Sequence, residues 1–213
     1  KDDPKVTAAA SWLAALGTAK GTVQDVMADR PPALRMTYDH ALLVLALVEH
    51  DPVRHQAAIR RSVETLVDGQ KASGQWAYLV TMGGPLDAGD NSNTQFALLA
   101  LRSAALAGVP VPKRIWQRAA KHFEDTVAKD GGLGYGCPGT LEGAYGSMTA
   151  VGVACHVIAR AMLLGPEKAP TFDYAKVPQI GYGLLWLAVR FAADRNPEIE
   201  KVSMAPAGAP GGP

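Results

Sequence analysis

Three observations predict an all-α fold of helical hairpins stacked in two layers. The first is an apolar run, opened each time by threonine, that occurs three times. The copies are TYDHALLVLALVEH from Thr37, TQFALLALRSAALAG from Thr94 and TAVGVACHVIARAML from Thr149, at intervals of 57 and 55 positions. The second is a glycine-aromatic turn that occurs twice, GQWAY at Gly74–Tyr78 and GGLGY at Gly131–Tyr135, again 57 apart. The third is an alternation between helices polar on one side and helices apolar nearly all round, as expected when the latter are covered on both faces. A period this long exceeds a tetratricopeptide or ankyrin unit and fits a repeated helix–turn–helix hairpin.

Taken in order, Val6–Leu16 reads as a short amphipathic helix stopped by Gly17, and Thr22–Arg35 is polar and interrupted by Pro31-Pro32. Thr37, or a neighbour, is the expected N-cap of the first apolar run. Asp51-Pro52 ends that run, and Pro52 suits the first turn of the next helix, Val53–Gln70. There Ala58, Ile59, Val63, Leu66 and Val67 share one face, with Arg60, Arg61, Glu64 and Asp68 opposite. GGPLDAGDNSN is a loop into the second run, and Val109-Pro110-Val111-Pro112 separates that run from an amphipathic helix at Arg114–Val127. Gly131–Gly146 is a glycine-rich loop before the third run. A connector at Gly165–Pro178 precedes a last helix, Gly181–Arg195, of the amphipathic type, with Trp186 placed like Trp12. The repeat domain is expected over 1–197. Residues 198–213, containing APAGAPGGP, form a low-complexity tail expected to be disordered or held by a partner.

The 213 residues suffice for one core or one array of hairpins. With 48% apolar and 19% charged residues the chain is globular in composition, and a net charge of +1 with scattered basic residues gives no nucleic-acid footprint. The longest apolar run, around Ala41–Val48, is about half of the ~20 residues a membrane span needs, so no span is predicted. Cys137 and Cys155 make no disulfide framework, and Cys155, inside an apolar helix, reads as a small buried hydrophobe. The chain starts Lys1-Asp2-Asp3-Pro4 without Met, so two compartments are expected: the cytoplasm, or export with a signal peptide removed.

Gln70, Gly74 and Trp76 within GQKASGQW fit the QW-type signature of the squalene–hopene and oxidosqualene cyclases, and DGGLGY, with Gly131, Gly132 and Tyr135, is similar to a second copy in which Leu133 replaces the aromatic. With DNSNTQFALLAL and GSMTAVGVA, the chain resembles bacterial prenyltransferase/squalene-oxidase-repeat proteins of the terpenoid cyclase-like class over about Val6 to Pro197. The resemblance implies an α/α toroid with outer and inner helix layers, in which Gln70 and Trp76 are structural staples. A full toroid of that family has about six hairpins. This chain supplies about three and a half, an incomplete ring whose open arc would expose inner-helix faces. Another protein chain or a missing segment is therefore expected to close it.

The resemblance also places ligands near the N-terminal ends of the inner helices. The cavity candidates there are Tyr38, Asp39, His40, Asn91, Asn93, Gln95, Glu142 and Tyr145, over an apolar wall of Phe96, Met148 and Val151. Such a cavity suits an isoprenoid, another lipid or a peptide segment. Class II terpene cyclases protonate an alkene with the middle Asp of D-x-D-D; the nearest match is Asp87-Ala88-Gly89-Asp90, which lacks the doublet. Asp87 and Asp90 are the acid candidates if the chain is an enzyme, and otherwise read as turn formers and caps. The zinc set of the protein prenyltransferases is incomplete, because Tyr135 stands where its Asp would; Cys137 is the ligand candidate, with Asp39 and His40 at the start of the first run. The thioester motif Cys-Gly-Glu-Gln is replaced by Cys137-Pro138-Gly139-Thr140. The expectation is a binding or assembly module without a cofactor, and the alternative is a cyclase- or prenyltransferase-type enzyme.

Overall fold

The computed structural model describes residues 3–18, 36–80, 89–136, 143–192 and 195–196. Among these residues seven α-helices run in the order α1 (Pro4–Thr18), α2 (Thr37–His50), α3 (Gln56–Gly69), α4 (Asn91–Leu106), α5 (Lys113–Thr126), α6 (Gly146–Leu164) and α7 (Pro178–Val189). Two short 3-10 turns, Ala169–Thr171 and Tyr174–Lys176, join α6 to α7, and no strand occurs among the described residues. The all-α class predicted from the sequence is what the chain adopts.

The three threonine-led helices lie next to one another, α2 against α4 and α4 against α6. The others pack onto this row: α1 on α2 and α3, α3 on α2 and α4, and α5 and α7 on α6. The shared core includes Leu47, Ile59, Leu66, Trp76, Leu98, Leu101, Ile115, Phe123 and Cys155, all essentially inaccessible to solvent. Each large side chain buried this way stabilises the fold by roughly 1.5–3 kcal/mol before chain entropy is counted. The apolar face expected in α3 is buried as read, except that Val67 is half-buried.

Several elements differ from the sequence expectation. Gly17 does not stop α1; it is buried, and a Cβ there would sit 3.1 Å from Leu43 and 3.3 Å from Ala58, so it permits close packing of α1. Pro52 does not open α3. Residues 52–55 form a separate turn in which Asp51 Oδ1 accepts the N–H groups of Val53 and Arg54, and the helix begins at Gln56. Helix α7 begins at Pro178, with proline at its first helical position, and ends at Val189. Trp186 is 1% exposed whereas Trp12 is 62% exposed, so the two tryptophans are not placed alike.

Exposed large apolar side chains occur on the threonine-led helices and beyond them. Leu42 in α2 and Leu106 at the end of α4 are exposed, but the concentration is on α7, with Tyr182, Leu184, Leu185 and Val189, and just beyond it at Phe191. Helix α7 is therefore not amphipathic in the manner of α3 and α5. Finally, α6 exceeds the Ala41–Val48 run. At 19 residues it is one helix long and apolar enough, by length and composition, to cross a membrane. Here it packs against α4, α5 and α7 and carries Arg160, whose Nη2 meets Glu124 Oε1 at 2.5 Å.

Candidate functional site

The glycine-aromatic turns brace the starts of the threonine-led helices, each turn bonding in two directions. Forward, the N–H of Trp76 donates to Thr94 Oγ1 at 3.1 Å, while the N–H of Asp90 donates to the Trp76 carbonyl at 3.0 Å. The second copy repeats this: Leu133 N–H donates to Thr149 Oγ1 at 3.0 Å, and Tyr145 N–H to the Leu133 carbonyl at 3.3 Å. Backward, Thr37 donates its N–H to the Tyr78 carbonyl and its hydroxyl to the Ala77 carbonyl, at 2.8 and 2.6 Å. In the second copy Asn91 donates its N–H to the Tyr135 carbonyl and its Nδ2 to the Gly134 carbonyl, at 3.0 and 2.8 Å. Thr37 is thus the counterpart of Asn91, not of Thr94. It is also not the cap: Met36 is the N-cap of α2, and its N–H is bonded by Asp39 Oδ2 at 3.2 Å.

The staple residues act within this brace. Gln70 Nε2 donates to the carbonyls of Gly74 and Ile115, tying the end of α3 to the first turn of α5. The Trp76 indole N–H donates to the Leu66 carbonyl at 2.6 Å. Gly74 and Gly131 have φ of +91° and +92°, and a Cβ on them would fall 2.3 Å from the Arg118 carbonyl oxygen and 2.2 Å from that of Tyr182. Both positions therefore demand glycine twice, for conformation and for contact. Gly132 meets Trp186, whose Nε1–H donates to Asp130 Oδ2 at 3.1 Å.

At the start of α4 the polar candidates bond one another. Asp90 is the N-cap; its Oδ1 accepts from Asn93 N and its Oδ2 from Asn93 Nδ2, both at 2.7 Å. That is the capping reading, and it leaves Asp90 6% exposed. Because Asn91 Nδ2 faces the Gly134 carbonyl, its Oδ1 faces donors, Gln75 Nε2 at 3.4 Å and His122 Nε2 at 2.8 Å. His122 is therefore an Nε2–H tautomer, and burial pushes its pKa down to about 4. Asn91 and Asn93 are fully buried, and Asn93 Oδ1 has no protein partner.

What remains accessible is aromatic. The Tyr38 ring lies 4.8 Å from Phe96 and 6.1 Å from Tyr78, and its hydroxyl meets Ser92 Oγ at 2.5 Å. The Tyr78 and Tyr135 hydroxyls hydrogen-bond at 2.6 Å, and Tyr78 is 48% exposed. Burial raises the Tyr38 pKa, the Ser92 bond opposes the rise, and the charges of Asp90 and Tyr78 add to it. Tyr135 is raised by burial, then by its Tyr78 bond and by Asp90. The Tyr38 and Tyr135 phenols therefore stay protonated at neutral pH.

The predicted cavity residues thus divide. Tyr38 and Phe96 belong to the aromatic cluster, beside the capping pair Asp90 and Asn93 and the buried Asn91. His40 is buried with its Nδ1 3.1 Å from Ser62 Oγ, and Gln95 is half-buried. Tyr145 is the N-cap residue of α6, and Met148 and Val151 are in the core. Asp87, Cys137 and Glu142 lie outside the described residues. Cys155 is free and fully buried, which pushes its thiol up to about 12. Among the described residues no three His, Cys, Asp or Glu side chains gather as a metal-ligand set. Sequence reasoning missed Tyr78, Ser92 and His122; the 57-residue spacing of Tyr78 and Tyr135 was the available signal for the first.

Comparison with protein-family models, with curated proteins and with solved structures finds no match in any of the three.

Proposed function

We propose that the chain is a non-catalytic repeat protein that binds a hydrophobic ligand or partner at the starts of α2 and α4. Its helices would form part of an α/α toroid of the prenyltransferase and squalene-cyclase type, with α2, α4 and α6 as inner helices. The row formed by these three, with the other four packed onto it, supports that arrangement.

The observation that carries the binding reading is the state of Asp90. Both its oxygens are engaged in capping α4, while the rings beside it, Tyr38, Tyr78 and Phe96, are only partly covered. Aromatic walls with a few hydroxyl donors suit an isoprenoid or another lipid more than a charged metabolite. The test is titration of the purified chain with a fluorescent farnesol analogue. Saturable binding that weakens roughly tenfold or more in Tyr38→Ala and Phe96→Ala supports the proposal. Binding that is absent, or unchanged in both variants, rejects it. Turnover of an isoprenoid diphosphate or of squalene, lost in Asp87→Asn or Asp90→Asn, would establish the enzymatic alternative instead.

A further inference from the structure

The outward side of α7 differs in kind from those of the two amphipathic helices. Helix α3 shows Arg60, Glu64 and Asp68 to solvent, and α5 shows Arg114, Arg118 and Lys121. Helix α7, PQIGYGLLWLAV, has no charged residue, and outside it stand Tyr182 (52% exposed), Leu184 (44%), Leu185 (61%) and Val189 (71%), followed by Phe191 (81%). Positions 182, 185 and 189 follow the three-and-four spacing of one helix face, so they form a continuous stripe. The side chains that hold α7 in place, Ile180 and Trp186, are a separate, buried set. The stripe is thus not needed to seat the helix.

We infer that this stripe is a self-association surface, on which α7 of one chain packs against α7 of a second copy about a two-fold axis. A neutral apolar stripe is complementary to itself, since no charge must find its opposite, and a two-fold contact closes the pair. The charges bordering it are already engaged: Arg190 lies 4.6 Å over the Trp186 ring and 3.6 Å from Asp130, and Lys176 pairs with Asp173. At ~200 Å² per aromatic side chain and somewhat less for Leu and Val, the exposed fractions leave ~500 Å² per copy. A pair then buries ~1,000 Å², the lower bound for a specific interface, so the pair is a reversible one. The association involves none of the residues at the starts of α2 and α4 and does not depend on what binds there.

Sedimentation velocity of the full chain over a range of micromolar concentrations tests this. The expected result is a concentration-dependent monomer–dimer equilibrium, weakened roughly tenfold or more by Leu185→Glu or Val189→Glu and less by Leu185→Gln. Because these side chains are exposed, far-UV circular dichroism should be unchanged in all three variants. Trp12→Glu, on the exposed side of α1, should leave the equilibrium as it is. The inference is overturned by a monomeric wild type, whether the stripe is covered by other residues of the chain or by nothing. It is also overturned by a dimer that tolerates both Glu variants, or by one that Trp12→Glu alone dissolves.

Discussion

The hydroxyl of Thr94 accepts the backbone N–H of Trp76 at 3.1 Å and donates to the Asp90 carbonyl at 2.6 Å. Thr149 does the same with Leu133 and Tyr145, at 3.0 and 2.9 Å. One side chain thus satisfies a buried turn and anchors a helix start in both copies. Thr94→Val and Thr149→Val keep the shape but leave a buried N–H unpaired, so each should destabilise by roughly 1–3 kcal/mol. Urea denaturation measures this; a cost near zero in both would show that the brace contributes nothing.

The turn glycines allow a graded comparison. Gly74, Gly131 and Gly108 all have φ near +90°, but a Cβ meets nothing within 4 Å at Gly108 and backbone at the other two. Gly108→Ala should cost about 1–2 kcal/mol from conformation alone. Gly74→Ala and Gly131→Ala must also displace α5 or α7 and should cost clearly more in the same denaturation series. Equal costs at all three sites would contradict the close packing of turn on helix.

Acid should weaken the fold through two buried histidines that flank Phe123. Burial lowers His122 to about 4. Burial, with the Arg160 charge adding, lowers His156 to about 4. Both ordinarily titrate near 6.5, so between the two values the unfolded chain binds more protons and stability rises with pH. Their contribution is complete above about pH 6.5 and is lost progressively as pH falls toward about 4. His156 has a further cost, since Arg160 Nε donates to its Nε2 and its proton-bearing Nδ1 has no partner. Urea midpoints at about pH 7.5 and about pH 5 should differ. The difference should shrink in His122→Gln, whose amide can still donate to Asn91.

The helices were legible because their apolar periodicity and the glycine-aromatic turns are local signals. The register of the repeat was not. A helix apolar nearly all round offers no face by which to align it, so the shared threonine pairs Thr37 with Thr94, although its bonds make it the counterpart of Asn91. The start of α7 was hidden for a similar reason. Pro178 reads equally as the end of a connector or the first residue of a helix, and only the packing of Ile180 decides. Asp90 was readable as a cap from its place before the run, whereas the His122–Asn91 bond joins residues 31 apart and leaves no local trace.

The proposal that the chain binds and does not transform its ligand is tested most directly by recovering that ligand. Purified protein would be incubated with farnesyl diphosphate and with squalene, and the extracted lipid analysed by mass spectrometry, with Tyr38→Ala and Asp90→Asn in parallel. The account predicts lipid retained unaltered by the wild type, with less retained by Tyr38→Ala. A cyclised or dephosphorylated product, formed by the wild type and missing with Asp90→Asn, would contradict it.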